Sequence, residues 1–376
     1  MTGDPKDWIT VAAVPGLGAL SVKRLWEAGW TPEKLLSADT TELQRLGLKP
    51  QTINALTSAS GENYSAIRGK VDRALAWLNE TADAAILPIT APEYPELLRE
   101  IADPPPVLFC RGNLSALNVP QLAMVGSRNP SATGLRNAYS FSAFLAQNGL
   151  IINSGLALGV DAAAHQGCVD HNCSTVAVFG RGMDAVYPSR NRKLAEQILE
   201  NHGVWVTEFF PDVPPLAANF PKRNRIISGM SAGVLVVEAA VKSGSLITAR
   251  MALEQNRDVF AIPGPLNSPL SKGCHKLIRE GAYLVESAEE IIAEISPILG
   301  VFESQGMPEY GQEQKTQTEE LSAAEEVLLN CIGYELQKLD QIIINTGFAM
   351  QEVAQLLVSL ELKGLVAQSM GGYIRL

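Results

Sequence analysis

Leu122-Ala123-Met124-Val125-Gly126-Ser127-Arg128 is four apolar residues followed by a glycine, a hydroxyl and a guanidinium, and from Ala132 the pattern turns helix-like. A short apolar run bounded by glycine reads as a strand buried on both faces. The same form recurs at Leu150-Ile151-Ile152, Thr175-Val176-Ala177-Val178-Phe179, Val204-Trp205-Val206, Val234-Leu235-Val236-Val237 and Val259-Phe260-Ala261-Ile262, with helical stretches between. That alternation predicts an α/β fold with a mostly parallel, doubly wound sheet. Ligands of such sheets bind outside the carboxyl ends of the strands.

The residues at those ends are suited to an anion. Gly126 permits close backbone approach, Ser127 offers a hydroxyl and an amide, and Arg128 carries a fork matched to phosphate at the positive end of a helix; a turn with an exposed arginine reads from the same three residues. The second strand ends in Asn153-Ser154-Gly155-Leu156-Ala157-Leu158-Gly159-Val160-Asp161. The third ends in Gly180-Arg181-Gly182-Met183-Asp184, followed by Tyr187-Pro188-Ser189-Arg190-Asn191. Together they predict a glycine-lined rim. The third glycine of a dinucleotide fingerprint is missing, which argues against a nicotinamide cofactor. After the fifth strand, Lys242-Ser243-Gly244-Ser245 opens a helix whose free amides suit a further phosphate.

Phe220-Pro221-Lys222-Arg223-Asn224-Arg225-Ile226-Ile227-Ser228 places three cations beside an aromatic ring. Pro221 suits a first helical turn. Helical spacing puts Lys222 and Arg225 on one face and turns Ile226 and Ile227 toward the sheet, so the cations are expected to point outward. A solvated surface helix has the same composition. Phe220 offers a stacking face to an unpaired base or, alternatively, caps the sheet as a core side chain.

The chain has 376 residues, 46% hydrophobic and 19% charged, enough for two or three folded domains. No uncharged apolar run reaches membrane-spanning length, Met1-Thr2-Gly3-Asp4-Pro5-Lys6-Asp7 lacks a signal-peptide pattern, and five cysteines fit a reducing compartment, so a cytoplasmic protein is expected. Lys and Arg number 10 against 14 Asp and Glu in residues 1–105, 16 against 12 in 106–287, and 4 against 14 in 288–376. The total of −10 therefore conceals a basic middle, where a polyanion would bind, and an acidic tail that would repel it.

Residues 1–80 read as a helical accessory domain. In it, Val14-Pro15-Gly16-Leu17-Gly18 has the form of a helix-hairpin-helix turn or of an ordinary tight turn. Residues 81–296 form the doubly wound domain, 297–320 a linker, and 321–376 a winged-helix outline with a hairpin turn at Gly371-Gly372. The presumed recognition helix, Met350–Glu361, carries two acids and no base, so contact with protein is preferred to groove reading. His165, Cys168, His171 and Cys173 lack a second knuckle, and no metal is assigned to them. Glu238 and Arg250 are read as capping and charge pairing. Neither paired carboxylates nor a nucleophile–base set is found, so no catalytic residue is named and a non-enzymatic protein is expected.

Taken in order, Gly-Ser-Arg, Ser-Gly-x-Ala-x-Gly-x-Asp-x-x-Ala-His, Gly-x-Gly-x-Asp-x-x-Tyr-Pro, Phe-Pro-x-Arg-Asn-Arg-Ile-Ile-Ser-Gly, Ser-Gly-Ser-Leu-Ile-Thr-Ala and a final Pro-Gly resemble the DNA-processing protein A (DprA/Smf) family across residues 85–290. The resemblance implies an extended Rossmann-like domain that binds single-stranded DNA, protects incoming DNA, loads the RecA recombinase in natural transformation, and self-associates as a homodimer. It implies DNA contacts at Ser127, Arg128, Phe220, Lys222, Arg223, Asn224 and Arg225. The strand-end reading adds Gly126, Ser154, Gly155, Lys242, Gly244 and Ser245. Leu158 stands where many relatives carry arginine, and Leu156 where glycine is frequent. The same Rossmann-like branch includes phosphoribohydrolases, so a nucleotide sensor or enzyme of that kind is the alternative.

Overall fold

The computed structural model describes residues 4–58, 62–303, 322–332, 337–363, 365–369 and 371–375. The chain falls into two compact units, Met1–Gly311 and Gln312–Leu376.

The first unit is built on a sheet of nine strands: β1 (Ala84–Pro88), β2 (Val107–Gly112), β3 (Gln121–Val125), β4 (Ile151–Ser154), β5 (Thr175–Val178), β6 (Val204–Thr207), β7 (Gly233–Val236), β8 (Asp258–Ala261) and β9 (Tyr283–Leu284). Their order is β1-β2-β6-β5-β4-β3-β7-β8-β9. Every neighbouring pair from β6 to β9 is parallel, while β1 and β2 are antiparallel additions at one edge. From β3 the chain winds outward through β4, β5 and β6, then crosses back to β7, β8 and β9. The switch point therefore lies between β3 and β7, and a doubly wound, Rossmann-like sheet binds there.

Period-two alternation divides the core. Leu122 and Met124 of β3 pack with Leu145, Cys168, Ile291 and Ile295, from helices Ala132–Gln147, Val160–Asp170 and Ala288–Glu303. Ala123 and Val125 face the other side, with Ile226 and Ile227 of helix Asn219–Gly229 and Ala249 of helix Gly244–Glu254. The expected linker meets this fold at its start. Residues 297–303 continue the helix that Ile291 and Ile295 anchor, and residues 304–320 lie outside the described residues.

The described residues of 5–80 form six helices, among them Pro5–Ala13, whose start Asp4 caps by accepting from the Lys6 amide. Trp8, Leu43 and Val71 from these helices share one apolar cluster with Phe109 of β2, whose ring meets Trp77 edge-on at 5.9 Å.

The second unit has helices Ala323–Ile332, Leu339–Thr346 and Met350–Leu362, then an antiparallel hairpin of β10 (Val366–Ser369) and β11 (Gly372–Arg375). This is the winged-helix outline, with Leu328, Ile342, Val353, Leu357 and Val366 as its core. Glu325 is buried within it, accepting from Ser359 Oγ at 2.6 Å, the Ser322 amide at 2.8 Å and Lys363 Nζ at 2.9 Å, and those donors hold its carboxyl down to about 2. Among the described residues no single helix is long and apolar enough to cross a membrane; one pair, Leu339–Thr346 and Met350–Glu361, reaches that composition together but bends by 109°.

Candidate nucleic-acid interface at the strand ends

Gly126, Ser127 and Arg128 follow β3, Ser154 and Gly155 end β4, Gly180 follows β5, and Glu238 to Ser245 follow β7, so the predicted rim gathers at one edge of the sheet. Its two central turns are tied across the switch point. Ser127 donates its amide to Glu238 O at 2.8 Å, and Ser245 Oγ donates to Gly126 O at 2.8 Å. Glu238 also accepts from the amide and hydroxyl of Ser131, at 2.8 and 2.6 Å, capping helix Ala132–Gln147. This is the capping role read for Glu238 in the sequence.

The helix Asn219–Gly229 lies over these turns by its first turn. The glycines are there to admit it. A Cβ on Gly155 would strike the Arg223 guanidinium, and one on Gly180 would come within 2.8 Å of Phe220 Cδ1. The expectation that Gly155 contacts a phosphate is thus corrected, because this chain's own Arg223 fills the space beside it, as Phe220 does beside Gly180. Ser154 is likewise committed: it is buried and its hydroxyl donates to Met124 O at 2.6 Å.

The three cations of the motif separate. Lys222 is exposed and makes no ion pair among the described residues. Arg223 is 4% exposed and donates from Nη1 to Val178 O at 2.6 Å. Burial lowers its pKa to about 10, although the charge of Asp161 opposes that fall. Asp161 in turn accepts from the amides of Gly155 and Ala157 at 3.2 and 3.3 Å; burial raises its pKa against the pull of Arg223. Arg225 corrects the outward-facing expectation. It is 8% exposed, pairs with Glu208, lies 3.3 Å from Asp103 Oδ2 and donates to Asp103 O at 2.6 Å. A guanidinium held by two carboxylates and a carbonyl is a structural clamp.

The open part of the site centres on Phe220, which is half-buried. The Arg128 guanidinium stands 5.7 Å from its ring centroid, that of Arg223 6.0 Å, and the exposed Tyr187 ring 5.8 Å away. Tyr187 was not among the sequence candidates; its signal was the Tyr-Pro pair after the third strand. Arg128 and Lys242 are exposed and form no ion pairs among the described residues. Asn224 is half-buried, and Gly244 is exposed beside Ser243, whose hydroxyl accepts from the Ser245 amide. The arrangement presents unpaired positive charge beside an aromatic face.

Two other features complete the surroundings. Leu156 sits at φ 55°, a left-handed conformation that costs a leucine about 1–2 kcal/mol. It is held by complete burial and by Asn191 Nδ2, which donates to Leu156 O at 2.8 Å. His165 is also fully buried. Thr175 Oγ1 gives its proton to Ile152 O at 2.5 Å and so accepts from His165 Nδ1 at 2.8 Å, which fixes the tautomer.

Burial, with the positive charge of Arg223, lowers the His165 pKa from 6.5 to about 3. Its neutral form should therefore persist at pH 5, read from the nitrogen shifts of the ring; titration near 6.5 would contradict the assignment. The sign for stability follows. The contribution is complete above pH 6.5 and is lost as pH falls toward 3, where the unfolded chain binds the extra proton. Cys168 and Cys173 contact backbone carbonyls of Ser142 and His171.

Comparison with known proteins bears on the family and the fold. Residues 85–296 match the family model described as DNA recombination-mediator protein A, and residues 312–372 match the DprA winged helix domain. The chain is 40% identical over 373 residues to Protein Smf of Escherichia coli K12, covering 99% of this chain and 96% of that one. It is 47% identical over 201 residues to the DNA processing protein DprA of Streptococcus pneumoniae, 54% of this chain and 71% of that protein.

Among solved structures, that of DprA from Streptococcus pneumoniae aligns with a TM-score of 0.66 and 35% identity, over 78% of this chain and 99% of the other. DNA processing protein A from Helicobacter pylori, whose structure was solved to show its single-stranded DNA binding mode, aligns at 0.52 with 28% identity, over 57% and 96%. With its sheet, its winged helix and nearly the whole length of a curated relative matched, the chain belongs to the DprA/Smf family of DNA-processing proteins.

Proposed function

We propose that this protein binds single-stranded DNA along the strand-end rim, protects it, and loads RecA recombinase onto it during natural transformation, as a cytoplasmic, non-enzymatic homodimer. The observation that carries the reading is the half-buried Phe220 ring beside the unpaired Arg128 guanidinium. An unpaired base stacks on the ring while its phosphate meets Arg128 and Lys222, and Lys242 and the Gly244 amide extend the positive rim. A base inside a duplex cannot reach that ring. Arg223 and Arg225 are assigned to positioning: one supports Phe220 and the Gly155 turn, and the other clamps the helix. The binding mode named for the Helicobacter pylori relative supports the choice of ligand, and the family model's description as a recombination mediator supports RecA as the recipient.

Salt-series titrations of labelled oligo-dT and of a duplex test it. Binding to the single strand should dominate, and its logarithm should fall by about 0.7 per phosphate contact for each decade of salt. Absence of oligo-dT binding even at low salt would refute the reading. RecA filament assembly on the bound strand should accelerate with added protein. The phosphoribohydrolase alternative needs a carboxylate free for chemistry, and Glu238 is occupied with Ser131. Base release from a nucleoside monophosphate, abolished in Glu238→Ala, would overturn the non-enzymatic assignment.

A further inference from the structure

A groove of about 480 Å³ opens beside the Phe220 site, on the far side of the turn that links β4 to helix Val160–Asp170. Its floor is small, formed by Gly159, Ala162 and Ala163; Leu135 stands at one wall and Arg190 and Lys193 at the other. We propose that this groove is a second single-stranded-DNA subsite, taking the nucleotides that follow the one held at Phe220.

Three observations carry the proposal. The first is charge. Arg190 and Lys193 are exposed and form no ion pair among the described residues, whereas Arg192 between them is paired with Glu196 at 3.0 Å. Two cations on one wall of a groove are thereby left for an anion. The second is the apolar surface: Leu135 is 41% exposed opposite those cations, which gives a base a face to lie against. A polyanion with apolar bases satisfies both walls.

The third observation is continuity. Gly159 lines the groove and packs against the carbonyl oxygens of Ser127 and Arg128, and the Val160 amide donates to Ser127 O at 3.1 Å. Asn191, also in the lining, donates to Leu156 O at 2.8 Å and Ala157 O at 3.2 Å. The amide of Ala157 binds Asp161, the counter-charge of Arg223. One short turn is thus the shared wall of the groove and of the Phe220 site, and a strand leaving Arg128 passes over Gly159 into it. The volume falls within the ~300–1,000 Å³ typical of sites for organic groups.

The proposal rests on the Phe220 site being a single-strand site, and the test separates the two. Anisotropy titrations of the full chain use a five-nucleotide and a fifteen-nucleotide oligo-dT over a salt series, with the double variant Arg190→Ala, Lys193→Ala and, separately, Leu135→Glu. The short oligonucleotide should bind both variants as it binds the unaltered protein. The long one should bind the double variant roughly tenfold more weakly, with its salt slope lowered by about 1.4 for two lost phosphate contacts. Leu135→Glu should weaken the long oligonucleotide alone. These side chains are exposed, so melting temperatures should not move. Unchanged affinity and slope for the long oligonucleotide in the double variant would overturn the subsite. Equal losses on both lengths would overturn it as well, since the cations would then act as a general field. Normal DNA binding with RecA assembly lost would reassign the groove to protein contact. If the unaltered protein bound neither oligonucleotide, the Phe220 reading would be the one that failed.

Discussion

Arg225→Ala should lower the stability of the first unit by about 3–5 kcal/mol, the usual cost of breaking a buried ion pair by removing one partner. Arg225 is 8% exposed, and it satisfies Glu208, Asp103 Oδ2 and the Asp103 carbonyl. Without it, Glu208 keeps a buried carboxylate whose Oε1 already has no partner. Burial pushes the Glu208 pKa up even with Arg225 in place. In the variant the carboxyl should rise further, so the deficit should shrink on acidification, as protonation removes the buried charge. Urea denaturation across pH checks both statements. Lys222→Ala, three residues earlier in the same motif and on the solvent side, should change stability by less than about 0.5 kcal/mol and weaken oligo-dT binding instead. The opposite result would place Arg225 on the DNA: full stability with binding lost. A paired replacement, Arg225→Met with Glu208→Leu, should restore most of the loss, since apolar substitution of both partners is often neutral.

The six parallel strands from β3 to β8 were legible because a strand buried on both faces is written as a short continuous apolar run. Strands β1, β2 and β9 were not. Two of them are antiparallel edge additions, and β9 is two exposed residues, Tyr283 and Leu284, too short to show a period. The site was legible as a set of positions and misleading as a set of directions. Lys222 and Arg225 are three residues apart, about 60° around a helix, and the boundary between solvent and core falls between them. What draws Arg225 inward is a pair of acids 17 and 122 residues distant in sequence, which no local pattern displays. Glycine was similarly ambiguous. Gly155 was read as a phosphate-binding position and Gly180 as part of a glycine-lined rim, yet the space beside them is taken by Arg223 and Phe220 of this chain. A glycine at a strand end marks a close approach without saying which group approaches.

Phe220→Ala should weaken oligo-dT binding by about 1–3 kcal/mol, the measured range for a base stacked on an aromatic ring, while leaving the salt slope unchanged. The slope counts phosphates, and a benzyl ring holds none. Arg128→Ala should show the complementary pattern, a lower affinity together with a slope smaller by about 0.7. The guanidinium stands 5.7 Å from the ring centroid, so the double variant should lose less than the sum of the single losses. Packing must be separated from stacking, since Phe220 touches the Gly180 turn and lies 5.8 Å from Tyr187. Phe220→Leu fills most of that space without a π face, and Phe220→Tyr keeps the face. Stacking requires that tyrosine bind nearly as phenylalanine does and that leucine bind as weakly as alanine, at comparable melting temperatures. If leucine binds as well as phenylalanine, the ring serves only to hold the turn, and Arg128, Lys222 and Lys242 alone must account for the affinity.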